Sequence, residues 1–260
     1  MYCMHWLSQD VRYSLRAILK DRGFFFTSVL ALALGIGSTT AIFSVIDNVL
    51  LEPFPYTDGQ RLMAIDIHDK SSKDEFGREF FSVPEFLDYQ AQNHIFDRSI
   101  GVTRQAVLLL GASSPLSFEG AAVTGNTFEF LGIPPLLGRA ITPDDAKPGS
   151  PPVFVLSYKV WQKTFAGDRT ILGKTFTMND KPTTLVGIMP RRFAWWGADL
   201  WIPTALDRAE ADPLQQKYFF MLGHLKPGLT PQSAAPDVQI LAQRFAKIYP
   251  KDYPSSLRYG

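Results

Sequence analysis

The chain has 260 residues, enough for one large or two small domains, and 46% of them are hydrophobic, so a sizeable core can be buried. A net charge of +1 gives no electrostatic reason to expect a nucleic-acid partner. The single cysteine, Cys3, excludes a disulfide framework within one chain.

At the N-terminus, "WLSQDVRYSLRAILKD" places Leu7, Val11, Leu15 and Ile18/Leu19 at helical spacing, with Arg12, Arg16 and Lys20 off that stripe. This suits a cytoplasmic amphipathic helix within residues 1–22, lying in a membrane interface, and equally an ordinary helix packed on protein. From Gly23 to Ile46 no residue is charged. A helix of that length would reach about 36 Å, enough for a hydrocarbon core of about 30 Å, so a transmembrane helix is expected within residues 23–51. Arg12, Arg16, Lys20 and Arg22 precede the run and Asp47 and Glu52 follow it. Lys and Arg favour the cytoplasmic side, which puts the N-terminus inside the cell and everything after about residue 52 outside the plasma (inner) membrane. The alternatives are a signal peptide, with Ala31-Leu32-Ala33 as its cleavage site, or a buried core helix; the apolar run continues past Ala33, beyond the usual signal length. Ala33, Gly37 and Ala41 recur every four residues, a small-residue face that would let a second helix approach closely.

After a Pro-rich linker, "RLMAIDIHD" alternates as a strand over residues 61–67. Ser82, Pro84 and Glu85 form a helix start, and "SIGVTRQAVLLLG" reads as a strand ending at Gly111, completing β-α-β. Residues 115–203 are short apolar runs broken by Gly, Pro and Asn. They include a strand leading to a helix capped by Ser157, a hairpin turning at Asn179-Asp180, and the short strand "DLWIPT". A strand over Tyr218–Leu225 then leads to a helix capped by Thr230, with Ile240, Leu241, Phe245 and Ile248 as its apolar face. The reading is α+β, with no closing strand after the last helix, and the chain is expected to be the N-terminal piece of a longer protein.

Several long stretches, among them "LALALGIGSTTAIFSVIDNVLLEPFPY", "VTGNTFEFLGIPPLLGRAITPDD" and "VFVLSYKVWQKTFAGDRTILGKTFTMNDKPTTLVGIMPRRF", resemble the MacB/FtsX-like ABC transporter permeases, in particular the duplicated permeases of acidobacterial type. The resemblance runs from about Val11 to Pro250. It implies a periplasmic core domain over residues 52–260, built from a porter-like part (60–114 and 204–260) and an inserted β-rich part (115–203). It also implies a cytoplasmic ABC ATPase subunit as partner, a second permease copy or half, a membrane lipid environment, and a role in export or release of substrate. The further membrane helices of a complete unit are absent from the 260 residues. The alternative function is a membrane-anchored binding or scaffold module without transport.

No pattern points to an enzyme or a cofactor. The histidines, His5, His68, His94 and His224, are not at metal-ligand spacing, and no G-x-S-x-G is present. The pairs Asp74-Glu75 and Asp144-Asp145 lie in expected loops. The G-x-G of "LGIGS" sits inside the apolar run, without the strand-to-helix context of a dinucleotide site. Gly173-Lys174-Thr175 ends like a phosphate loop, but five residues rather than four separate Gly167 from Gly173, and a strand is expected to follow. Trp195, Trp196 and Trp201 form an aromatic group that is either a partner-contact patch or the core of a β subdomain.

Overall fold

The computed structural model describes residues 22–46, 56–67, 78–110, 115–208, 218–250 and 252–253. The chain divides into two units, Met1–Pro55 and Tyr56–Gly260. In the first, helix α1 (Arg22–Ile46) runs unbroken for 25 residues. Among its described side chains the large apolar ones are exposed, Phe26 by 70% and Leu34 by 66%. Its hydroxyls turn back on its own backbone: Thr27 donates to the Gly23 carbonyl at 3.0 Å, and Ser38 and Thr39 to that of Gly35 at 3.1 and 2.8 Å. Among the described residues no helix is long and apolar enough to cross a membrane; the side chains of residues 41–46, Ala41 included, lie outside them. Of the span expected over 23–51, residues through Ile46 are described, and they are helical; residues 47–51, like almost all of the amphipathic helix expected over 1–22, lie outside the described residues.

The second unit is α+β. Its elements are β1 (Leu62–Ala64), β2 (Phe80–Ser82), α2 (Val83–Gln92), β3 (Phe96–Leu110), β4 (Leu116–Val123), α3 (Thr127–Leu131), β5 (Leu137–Gly138), β6 (Val153–Leu156), α4 (Tyr158–Phe165), β7 (Thr175–Met178), β8 (Lys181–Ile188), β9 (Leu200–Pro203), β10 (Tyr218–Leu225) and α5 (Pro231–Ile248). All the strands join one sheet. The long strand β3 organises it. Its first half pairs with β10, from Phe96–Leu225 to Val102–Phe220, and β10 carries β1 and β2 on its other edge. Its second half pairs with β4 from Val102 to Leu109. The ladder then continues β4–β9, β9–β6, β6–β8 and β8–β7, and returns to β3 through Leu109–Met178 and Leu110–Thr177. Those six strands close a small barrel, which leaves them no free edge along the circuit.

Three apolar cores follow from this arrangement. One lies between the β1–β2–β10 face and helices α2 and α5, built on Phe81, Phe86, Tyr89, Phe219 and Phe245. The second lies outside the barrel wall under α3, around Phe128, Phe130, Phe193 and Trp201. The third fills the barrel, with Leu109, Phe118, Phe154, Leu185 and Leu200, and includes Val160 and Trp161 from α4.

Local sequence explains most elements. Ser82 and Glu85 form a capping box with Pro84 in the first turn of α2, and Thr230 with Pro231 starts α5. Asn179 and Asp180 both take positive φ, 46° and 63°, as a two-residue hairpin turn requires. Three expectations need correction. The strand expected over 61–67 is regular only at Leu62–Ala64, with an isolated bridge from Ile67 to Arg78, because β2 enters beside β10 at that level. Strand β4 and helix α3 were not anticipated as elements. Small residues fill "EGAAV" because the wall there is crowded: a Cβ on Gly120 would stand 2.7 Å from the Gln105 carbonyl oxygen. In α5, Ile240 and Ile248 are exposed, while Ala234, Leu241, Ala242 and Phe245 are buried. Two small alanines set the buried stripe, so large residues alone misplace it.

Candidate functional site

Among the described residues no group of His, Cys, Asp or Glu is arranged to hold a metal ion. His94 is exposed, His224 is fully buried, and His5 and His68 lie outside the described residues. Asp145 accepts both guanidinium nitrogens of Arg139, at 2.6 and 2.7 Å, and the Thr142 backbone N–H at 2.8 Å. The Arg139 hydrogen bonds hold its carboxyl below the usual range against the opposing effect of burial. Asp144 pairs with Lys147 at the surface. Both acids are thus tied into a turn, and Asp74-Glu75 lies outside the described residues. Gly173 takes φ 81° and leads straight into β7, while Lys174 reaches Thr170 at 3.4 Å. No helix opens after this segment, so it lacks the geometry of a phosphate loop. Gly35 and Gly37 sit within α1.

Two polar arrangements escaped the sequence reading. Glu85 was anticipated only as a capping residue. It is fully buried and receives the Arg78 guanidinium in a two-pronged pair, at 2.9 and 2.7 Å, the Tyr253 hydroxyl, and the Ser82 backbone N–H at 3.3 Å. Arg78 also lies over the rings of Phe81 and Tyr253, at 5.2 and 4.9 Å. Burial opposes the Arg78 charge, yet the hydrogen bond and charge of Glu85 outweigh it and hold the guanidinium above its ordinary value. Burial, with the neighbouring Tyr89 and Glu85, pushes the Tyr253 hydroxyl strongly up. The cluster binds the start of α2, the bridge at Arg78 and the segment after α5 at one point. No local spacing could reveal it, since Glu85 and Tyr253 are 168 positions apart.

His224 is the second. Its ring stacks on Phe130 at 4.0 Å, and its Nε2 donates to the Thr57 carbonyl at 3.0 Å. Its Nδ1 is buried and has no hydrogen-bond partner among the described residues. Burial lowers its basicity, against the raising effect of the Thr57 carbonyl.

The three tryptophans separate. Trp201 is fully buried and Trp195 nearly so, both in the core beneath α3, which removes them as contact residues. Trp201 stands beside the small Ala121 of β4, its partner in the ladder. Trp196 is half-buried and stands in a left-handed conformation, φ 61°, uncommon for a bulky residue. It meets Phe220 at 5.2 Å and Phe80 at 6.3 Å, edge to face, and Arg104 lies over its ring at 5.7 Å. Phe80 and Phe220 are a cross-strand pair on the sheet face opposite α2, and Phe80 is 37% exposed. An aromatic surface therefore exists, but on Trp196, Phe80 and Phe220. In α1, Ala33 and Gly37 are exposed, and nothing lies within 4 Å of a Cβ built on Gly37.

The family model of the MacB-like periplasmic core domain matches residues 25–241. Among solved structures, the periplasmic region of MacB from Actinobacillus actinomycetemcomitans is 14% identical, with a TM-score of 0.51 over 72% of this chain and 83% of that one. A domain of a putative permease protein from Porphyromonas gingivalis is 16% identical, with a TM-score of 0.52 over 73% and 86%. At these identities the structures speak for a shared mixed α+β fold. No curated protein matches the sequence.

Proposed function

From the fact that the chain belongs to the MacB-like periplasmic core domain family, which gives it a permease-type role, we propose that it is the membrane-anchored part of an ABC-type permease. In this reading the apolar run over residues 23–51, of which α1 is the described part, spans the inner membrane with its N-terminus in the cytoplasm. The unit after Tyr56 is extracytoplasmic and couples the cycle of a separate cytoplasmic ATPase to export or release of substrate. The protein itself is not an enzyme and holds no cofactor. The observation that carries the reading is that the family match begins at residue 25, inside α1, so helix and folded unit form one family module. The unbroken helix supports it, because lipid requires every backbone group to be satisfied within the segment, and Thr27, Ser38 and Thr39 satisfy their hydroxyls the same way. The open face of Ala33 and Gly37 is where a helix of a second permease copy or half would pack, with Ala41 next at the same spacing in the sequence.

We also assign the porter-like part to 60–114 and 204–260 and the inserted part to 115–203, with Trp196 on the partner-contact surface. The return of β10 beside the first half of β3 supports this division.

A reporter enzyme active only after export, fused behind Gly260, is expected to be active in cells. Activity of a cytoplasm-only reporter at that position would reverse the topology. Co-purification of the chain with an ABC ATPase is expected, and failure under conditions that preserve the membrane complex would remove the coupling.

A further inference from the structure

The barrel is filled at its centre and open at one end. With the two-residue period of a strand, the inward positions descend from rim to floor: Lys181, Thr183 and Leu185 on β8, and Gln105, Val107 and Leu109 on β3. Burial follows that order, from the exposed Lys181 to the fully buried Leu185. Above the floor lies a cavity of about 460 Å³, opening where the β7–β8 turn, the start of β6 and the end of β9 meet. Mouths of small barrels are a preferred place for ligand sites, and this volume is of the usual size.

The chemistry of the rim follows from what its groups already bind. The hydroxyls of Ser150, Thr183 and Thr204 donate to the carbonyls of Asp144, Lys181 and Ala205. The Asn179 side chain is used on β3, accepting from the Leu108 N–H at 2.8 Å and donating to the Ala106 carbonyl at 3.3 Å. Asp145 is occupied by Arg139. The Lys181 ammonium and the Gln105 amide have no hydrogen bond or ion pair among the described residues. Among the described residues Lys147 is held only by Asp144, a largely exposed pair of the kind worth little. What the cavity offers is an apolar lower wall of Val107 and Met178 and a rim with spare donors and positive charge.

We propose that the barrel mouth binds a small apolar carboxylate, its body on Met178 and Val107 and its carboxylate at Lys181 and Gln105. Nothing in this site depends on the membrane topology or on an ATPase. The test uses the full chain in lipid nanodiscs, labelled at methionine methyls, titrated with N-acetylphenylalanine or its uncharged amide. The Met178 methyl, identified by its loss in Met178→Leu, is expected to shift saturably with the acid, and the amide to bind about tenfold more weakly, as the loss of a charge-assisted hydrogen bond implies. Lys181→Gln is expected to abolish the preference for the acid, whereas Lys226→Gln, outside the cavity, leaves it intact. Equal binding of acid and amide, a preference that survives Lys181→Gln, or no saturable shift with either compound would overturn the proposal.

Discussion

The two halves of β3 are held by different physics. Phe96–Val102 lies beside β10, over a core shared with α2 and α5, and the segments around that core are tied by one buried carboxylate, Glu85. Residues 103–110 belong to the barrel, whose interior is aliphatic and aromatic and whose strands satisfy one another through a closed ladder. The first half has to join pieces far apart in sequence: the bridge at Arg78, the start of α2, and Tyr253 beyond α5. Backbone pairing does not reach all three, so a charge with several acceptor sites does. The barrel needs no such tie, because closure itself removes its edges. The difference implies that substitutions of charge should damage the first half most, and substitutions of shape the second.

The largest effect is expected at Arg78→Met. It leaves the Glu85 carboxylate buried without its cation, a loss of about 3–5 kcal/mol in fully buried pairs, and nearer the lower figure here because Arg78 is partly exposed. Urea unfolding measures it. Adding Glu85→Leu to the same chain should recover much of the loss, since an apolar pair no longer buries an unpaired charge; a double variant as weak as the single would mean that the charges are not what ties this half. For the barrel, Gly120→Ala places a Cβ 2.7 Å from the Gln105 carbonyl oxygen and 2.7 Å from the Val107 side chain. Overpacking of this kind costs about 1–3 kcal/mol. Urea unfolding of Gly120→Ala unchanged from the parent would show that β3 and β4 are not so closely pressed.

The third effect depends on pH. Burial depresses the His224 basicity below its ordinary value of 6.5, with Arg98 and Arg61 acting in the same direction and Asp97 and the Thr57 carbonyl opposing. The unfolded chain therefore takes up the proton first. The stabilisation is complete above the unfolded value and is lost as pH falls from there through the folded one. Protonation would also add a donor at Nδ1, which is buried without a partner among the described residues. Thermal melting between pH 6.5 and 5 should show falling stability, and His224→Phe should flatten that slope. The paired carboxylates Asp88 and Asp145, both depressed below 3.8, act only in more acid solution. A slope unchanged by His224→Phe would place the acid sensitivity elsewhere.

Periodicity and capping made much of the fold legible. The strand at Tyr218–Leu225, the boxes at Ser82 and Thr230, and the turn at Asn179-Asp180 are encoded within a few residues of where they act. What stayed hidden is set by distant neighbours. Strand β4 looked featureless because its small residues answer to the opposite strand. The closure of the barrel rests on two residue pairs between β3 and β7. Glu85 and His224 look like ordinary side chains until Tyr253 and Phe130 stand against them. Of Trp195, Trp196 and Trp201, only Trp196 lies partly at the surface, and a left-handed backbone at that position has no signature in "AWWGA".

The smallest effect tests that closure directly. Asn179 does two things at the seam: it takes the left-handed conformation of the turn, and its side chain extends the β3 ladder at Leu108 and Ala106. Asn179→Gly keeps the first and removes the second, because glycine enters that region without cost. Asn179→Ala removes both. If the side chain acts as a rung, Asn179→Gly should lose about 1 kcal/mol, as for a net hydrogen bond, and hydrogen exchange at the Leu108 amide should accelerate. Asn179→Ala should lose a further ~1 kcal/mol from the strained turn. Stability of Asn179→Gly equal to the parent, with Leu108 still protected, would assign the seam to backbone pairing with β7 alone. Equal losses in the two variants would assign it to the side chain, with the turn conformation contributing nothing.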